Sequence, residues 1–187
     1  MTMQIDPKLA HRVRLLALDV DGVLTDNGIW IGPIAGQRVE LKRFDIQDGL
    51  GLVLLRTAGI PVIWLSGRHS DATELRAREL KVEEVLQVSG PAKLETMGPV
   101  LERRGLAWDE VAYVGDDLAD LQVLRRVGLP LAVANAVPDI REVAAVTTTA
   151  QGGHGAVREF VDALLKARGL WDDMIERYFT ERARRDG

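Results

Sequence analysis

Two short stretches place carboxylates where chemistry can use them. The first, RLLALDVDGVLTD from Arg14 to Asp26, carries an apolar run from Leu15 to Leu18 that ends abruptly in Asp19, Asp21 and Gly22. The second, VAYVGDDLAD from Val111 to Asp120, repeats the pattern with Asp116, Asp117 and Asp120. An apolar run without helical spacing reads as a strand buried on both faces. Acids crowded at the end of such a strand repel one another and lose hydration, so a cation, protons or hydrogen bonds must offset the cost. If the two strands are neighbours, Asp19, Asp21, Asp116 and Asp117 share one cleft, and a hard divalent cation relieves their repulsion. All-oxygen ligation without His or Cys points to magnesium, which keeps waters and accepts a phosphate oxygen.

Beside such a cation, Asp19 can turn one carboxylate oxygen on phosphorus and form an aspartyl-phosphate. Asp21 lies two residues on, so an extended backbone sends both side chains out on the same side. There it can give a proton to a leaving alkoxide and later take one from water. Phosphoryl transfer also needs donors around the equatorial oxygens. Ser66, closing the run PVIWLS, offers a hydroxyl and nearby amides, and Lys93, opening a later helix, offers a positive charge.

The intervening elements alternate. Residues 27–43 read as a hairpin around the breaker-rich GPIAG, with Val39 and Leu41 alternating against Arg38, Glu40 and Lys42, so one face is expected to be polar and accessible. Asp48 is a candidate N-cap for a helix carrying Leu50 to Leu55 and closed by Gly59. From Ser70 a helix is expected with Leu75 and Leu80 on its apolar side, then a short strand VEEVLQV and a helix over about Pro91 to Arg104. Beyond VAYVG come a helix to Val127 capped by Asp117, a strand PLAVAN, a helix from Pro138, the short AAVTTTA and an amphipathic helix from Gly155 to Arg168. A tail over about 170–180 carries Trp171, Met174, Ile175, Tyr178 and Phe179 as one stripe, suited to the home core or to a partner's surface. Strand alternating with helix predicts an α/β, three-layer, mostly parallel Rossmann-like sheet, whose ligands gather at the carboxyl ends of the strands. Asp19, Ser66 and Asp116 all stand at such ends.

With 187 residues, 47% hydrophobic and 28% charged, one domain spanning 1–187 is expected. A formal net charge of −4 argues against a general nucleic-acid binder. No apolar run suits a membrane, and MTMQIDPKLAHRV lacks the apolar core of an export signal. The chain has no cysteine, which removes disulfides, thiolate catalysis and cysteine-ligated metals and fits a cytoplasmic protein.

Taken together, DVDGVLTD, LSGR at Leu65 to Arg68, Lys93 and GDDLAD resemble the four motifs of the haloacid dehalogenase superfamily of aspartate-nucleophile phosphatases. The resemblance covers essentially the whole chain. It implies Asp19 as nucleophile, Asp21 as acid and base, Ser66 and Lys93 as phosphate ligands, and Mg2+ held by the Asp19 carboxylate, the Asp21 backbone carbonyl and Asp116. The gaps from Asp26 to Ser66 and from Ser66 to Lys93 are too short for a cap domain. RFDIQDGLG, VAYVGDDLAD and GGHGAVREF further resemble the cap-less sugar-acid phosphatases of the 3-deoxy-D-manno-octulosonate 8-phosphate type, which are tetramers with each site covered by neighbouring subunits. That implies a sugar-acid contact from Asp45, Asp48 and Gly49 in the DIQDG segment, from Gly67, Arg68, Arg76 and Lys93, and from His154 across a subunit boundary. Arginine suits a carboxylate because its fork donates two parallel hydrogen bonds. Gln47, Val53 and His154 stand where that group often carries arginine, so a nine-carbon sialic-acid-type 9-phosphate is an alternative substrate. A long-lived aspartyl-phosphate switch is a further alternative, weighed down by Asp21, whose acid two residues after the nucleophile speeds hydrolysis.

Overall fold

The computed structural model describes residues 3–89 and 92–183. Six strands form one parallel sheet in the order β5-β4-β1-β6-β7-β8: β1 Leu15–Leu18, β4 Val62–Ser66, β5 Glu84–Gln87, β6 Val111–Gly115, β7 Leu129–Ala132 and β8 Val146–Thr147. The central strands β1, β4 and β6 are buried at every position. That is why they read as unbroken apolar runs: side chains on both faces meet helices and none meets water.

Among the described residues eight helices cover the sheet: α1 Pro7–Arg12, α2 Ile46–Thr57, α3 Asp71–Leu80, α4 Lys93–Arg104, α5 Leu121–Leu124, α6 Pro138–Val143, α7 Ala156–Ala167 and α8 Trp171–Ala183. α2 packs on α3, α7 and α8, whereas α5 packs on α4 and α6. Right-handed crossovers place these two groups on opposite faces, completing the three-layer α/β arrangement that the alternation predicts. Local signals set the ends. Ser70 accepts a hydrogen bond from the Thr73 amide to start α3, and left-handed Gly105 closes α4.

Several details depart from the sequence expectations. α2 is capped by Asp45, which accepts from the Gln47 amide, so Asp48 lies inside the first turn. The helix expected to reach Val127 shrinks to a 3₁₀ turn over Leu118–Asp120 and the single turn α5. Leu75 is exposed, and α3 instead buries Thr73 and Ala77. The start of the α4 segment at Pro91 lies outside the described residues; the helix is seen from Lys93. The C-terminal helix packs on its own chain: Met174 is buried and Trp171 and Tyr178 lie against the core, while Phe179 stays exposed.

Between β1 and β4 the chain holds only α2 and a hairpin of β2 Trp30–Ile34 and β3 Gln37–Leu41. Gly32 and Pro33 belong to β2, and the turn is made by Ala35 and Gly36, both at positive φ. The hairpin stands off the main sheet as a flap. A single bridge between Thr25 and Phe44 ties its base, where the Phe44 ring stacks on Trp64 at 6.3 Å. Its apolar face, with Trp30 at 73%, Ile34 at 61% and Leu41 at 58% exposure, points to solvent. The expectation of an accessible polar face holds only toward the tip: Arg38 is exposed, whereas Glu40 and Lys42, nearer the base of the same face, turn inward over the carboxyl ends of β1 and β4.

Candidate active site

β1 and β6 are direct neighbours, with Leu18 opposite Val114 and the Asp19 amide donating to the Val114 carbonyl at 3.0 Å. The two carboxylate-bearing strand ends therefore meet, as the sequence requires. Carboxylate oxygens of Asp19, Asp116 and Asp120 lie within 4.8 Å of one another, all three buried. Lys93, brought in by the N-terminus of α4 and 2% exposed, donates from Nζ to Asp19 Oδ1 and to Asp120 Oδ1, each at 2.6 Å. Asp120 is saturated: Oδ1 also accepts from the Tyr113 hydroxyl at 2.6 Å, and Oδ2 accepts from the amides of Asp116 and Asp117. Its task is to hold the lysine. Asp117 instead caps the following turn by accepting from the Leu118 amide at 2.7 Å and sits outside the cluster, contrary to the expectation that it shares the cleft.

Burial dominates the electrostatics. It pushes the Asp19 carboxyl up to about 7, with the Asp120 charge adding and Lys93 opposing. Burial followed by the charges of Asp19 and Asp120 pushes Asp116 up to about 8. For Lys93 burial works downward, but the carboxylates of Asp19 and Asp120 prevail and raise it. Tyr113 is raised well above the ordinary phenol by burial and the Asp120 charge.

The cluster fits a hard divalent cation on three observations. Asp116 Oδ1 is buried with no hydrogen-bond partner, an arrangement that costs free energy unless something else binds it. Three buried carboxylates against one ammonium leave two negative charges, which a divalent cation balances. Every available donor is oxygen, the set that magnesium prefers. Gly22 makes the geometry possible. It adopts φ +91°, and a Cβ there would fall 1.9 Å from Asp116 Oδ2. Asn135, which the sequence reading left aside, braces the same turn: its Nδ2 donates to the Gly22 carbonyl at 3.1 Å and its Oδ1 accepts from the Gly152 amide at 2.6 Å.

Asp21 departs from the expected direction. The chain turns at once after Asp19, with the amides of Leu24 and Thr25 both donating to the Val20 carbonyl. The extended backbone needed to align the two side chains is lost, and the Asp21 carboxylate is carried toward the flap. There Lys42 Nζ lies 2.7 Å from Oδ1 and 3.0 Å from Oδ2. Lys42 also donates to Thr73 Oγ1 at 3.1 Å and lies 3.8 Å from Glu40. Arg68 closes the circuit, 3.1 Å from Glu40 and 3.9 Å from Asp21. Burial works to raise the Glu40 carboxyl, but a Ser70 hydrogen bond and the charges of Arg68 and Lys42 hold it below the usual range. Neither Lys42 nor Glu40 is picked out by the sequence, because both read as one polar face of a hairpin.

The remaining sequence-derived residues fall around this centre. Ser66, fully buried at the end of β4, exchanges hydrogen bonds with the Arg68 backbone across the bend at Gly67, its hydroxyl donating to the carbonyl at 3.0 Å and accepting from the amide at 3.2 Å. Asp45, Gly49 and Arg76 come together: Arg76 donates to the Asp45 carbonyl at 3.5 Å and pairs with Glu79 at 2.8 Å, and a Cβ on Gly49 would meet its guanidinium at 2.6 Å. Asp48 is not available to a ligand. Its carboxylate accepts from the Arg158 amide at 2.8 Å and the Gly155 amide at 3.3 Å, holding the start of α7. Burial pushes it up to about 6 against those two hydrogen bonds. His154 is exposed on the loop before α7, 3.4 Å from Arg43, whose guanidinium donates to the Gly153 carbonyl at 2.6 Å. Gln47 is exposed and Val53 half-buried.

Known proteins share both sequence and shape. A family model for haloacid dehalogenase-like hydrolases matches residues 86–160. The 3-deoxy-D-manno-octulosonate 8-phosphate phosphatase of Escherichia coli K12 is 42% identical over 164 residues, covering 88% of this chain and 85% of that protein. The chain belongs to the 3-deoxy-D-manno-octulosonate 8-phosphate phosphatase family. Within that family, the Moraxella catarrhalis enzyme, solved with magnesium, phosphate and the sugar acid, superposes with a TM-score of 0.86 at 35% identity, over 92% of this chain and 97% of that one. The cobalt-bound phosphatase from Haemophilus influenzae gives a TM-score of 0.79 at 30% identity, over 87% and 93%.

Proposed function

We propose that the chain is a magnesium-dependent phosphatase that hydrolyses 3-deoxy-D-manno-octulosonate 8-phosphate to the free sugar acid and phosphate. The observation that carries this reading is the buried meeting of Asp19, Asp116 and Lys93, a nucleophile, an unpartnered oxygen ligand and a cation at adjoining strand ends. The Asp19 and Asp116 carboxylates and the Asp21 backbone carbonyl would hold the metal, which when bound offsets the acids' charge so that a phosphate can enter.

Asp19 then bonds to phosphorus as the bond to the sugar oxygen breaks. Lys93 fixes Asp19 through Oδ1 and supplies positive charge beside the transferring group. Asp21 gives its proton to the departing alkoxide, then takes one from the water that cleaves the aspartyl-phosphate and restores Asp19. Ser66 offers a hydroxyl at the end of β4. Asp45, Gly49, Gly67, Arg68, Arg76 and His154 surround the place of the sugar acid, with the arginines suited to its carboxylate.

The apolar outer face of the flap supports assembly into a homotetramer in which neighbours cover each site, since exposed Trp30, Ile34 and Leu41 form a patch that a lone subunit leaves wet. Among the described residues no helix is long and apolar enough to cross a membrane.

A panel of sugar-acid phosphates assayed for phosphate release with Mg2+ tests the reading. The 8-phosphate is expected to turn over fastest, ahead of sialic-acid-type 9-phosphates, and Asp19→Asn to stop turnover without loss of the folded state. No release from any sugar-acid phosphate, or substantial release by Asp19→Asn, would overturn it.

A further inference from the structure

The inward face of the flap carries a charge that the reaction sequence above does not use. Lys42 follows directly on β3, and its side chain has no exposure to solvent. A fully buried ammonium persists only where partners replace its lost hydration. Here they are the Asp21 carboxylate, the Thr73 hydroxyl in the first turn of α3, and Glu40 at longer range. Thr73 is itself fully buried, so the lysine is gripped between the flap and α3 with little freedom.

Asp21 is otherwise loosely held. Its carboxylate projects from a turn, and among the described residues its only other ion-pair partner is Arg68 at 3.9 Å. Proton delivery needs the acid within hydrogen-bond reach of the leaving oxygen, and a misplacement of about 1 Å can cost on the order of 100-fold in rate. We propose that Lys42 is the positioning residue for Asp21: its buried ammonium locks the acid–base carboxyl in place. The flap thereby acts as the structural support of the proton donor. Lys42 hydrogen-bonds Asp21 Oδ2, and Oδ1, which makes no hydrogen bond, is the oxygen left to carry and deliver the proton.

The inference rests on Asp21 being the acid, and leaving-group chemistry separates the two claims. An alkyl phosphate expels a strongly basic alkoxide and needs the proton, whereas p-nitrophenyl phosphate expels a weakly basic phenolate and hardly does. The quantity to compare is kcat/KM, which reports steps through the departure of the alcohol, for 3-deoxy-D-manno-octulosonate 8-phosphate and p-nitrophenyl phosphate with saturating Mg2+. Asp21→Asn is the reference. If it lowers both substrates equally, the acid assignment itself fails.

With that bias present in Asp21→Asn, Lys42→Met is expected to lose about 100-fold on the alkyl substrate and about threefold or less on the aryl one. Equal losses on both substrates would mark Lys42 as merely structural and overturn the inference. Should Lys42→Met fail to fold, Thr73→Val decides. It keeps the volume and removes one anchor of the ammonium, so a loss of about 5- to 10-fold confined to the alkyl substrate is expected for a partial release. An unbiased or absent loss there refutes the role.

Discussion

Removing divalent metal should make the stability of this protein strongly pH-dependent, and restoring Mg2+ should abolish that dependence. In the metal-free chain the Asp19 and Asp116 carboxyls titrate near 7 and 8, against 3.8 when unfolded. Each holds its proton longer in the folded state than in the unfolded one. The stabilisation this represents is therefore fully present below pH 3.8 and disappears as pH climbs through 7 and 8. Integrating the two titrations from about pH 6 to about pH 9, at about 1.4 kcal/mol per pH unit of full protonation difference, gives a loss of roughly 4 kcal/mol. For a chain of this length about 1 kcal/mol moves Tm by roughly 2–4 °C, so EDTA-treated protein should melt roughly 8–16 °C lower at pH 9 than at pH 6. Bound Mg2+ keeps both carboxylates ionised and competes with the proton, so its stabilising effect should grow with pH. Differential scanning fluorimetry with EDTA or with saturating MgCl2 at both pH values reads this directly. A Mg2+-induced shift that is equal at the two pH values, or larger at pH 6, would refute the assignment of this pair as the metal ligands.

Two further outcomes follow from named contacts. Gly22→Ala forces a side chain into left-handed backbone, at about 1–2 kcal/mol, and drives a Cβ onto the Asp116 carboxylate. Calorimetric titration should show Mg2+ binding lost in a chain that still folds; unchanged affinity would mean that Asp116 is not held where it appears. Asp48→Ala strips two amides at the start of α7 of their acceptor, which costs about 1–3 kcal/mol and so lowers Tm by roughly 2–12 °C. KM for the sugar-acid phosphate should stay within about twofold of its starting value, since the carboxylate faces α7. A large rise in KM with Tm preserved would return Asp48 to the binding site.

The sheet and its reactive ends are legible from the sequence because burial on both faces leaves a long apolar run, and a carboxylate can follow only where that run leaves the core. Asp19 and Asp116 are found by that logic alone; Lys93, at the start of a helix, is singled out only by the need for a cation beside the phosphoryl group and by the family resemblance. What the sequence conceals is the direction of side chains set by partners far along the chain. Asp21 departs from Asp19 because Gly22 opens a turn. Asp45 and Asp48 suit a helix cap equally well, and the choice falls to Asp45 because Gly155 and Arg158, more than a hundred residues later, claim Asp48. Alternation around Glu40 and Lys42 reveals a two-faced hairpin but not which face meets water. Where the flap comes to rest decides that, and it rests with Glu40 and Lys42 inward and Arg38 in water.

The circuit of Asp21, Lys42, Glu40 and Arg68 alternates in sign and is closed by segments following β1, along the flap and following β4. Reversing one corner would set a like charge against both of its neighbours, in a place where water can do little to separate them. Divergence among relatives must then proceed by exchanging adjacent members together, so a chain that has given up Lys42 is expected to have given up Glu40 as well, and the pair behaves as one inherited character.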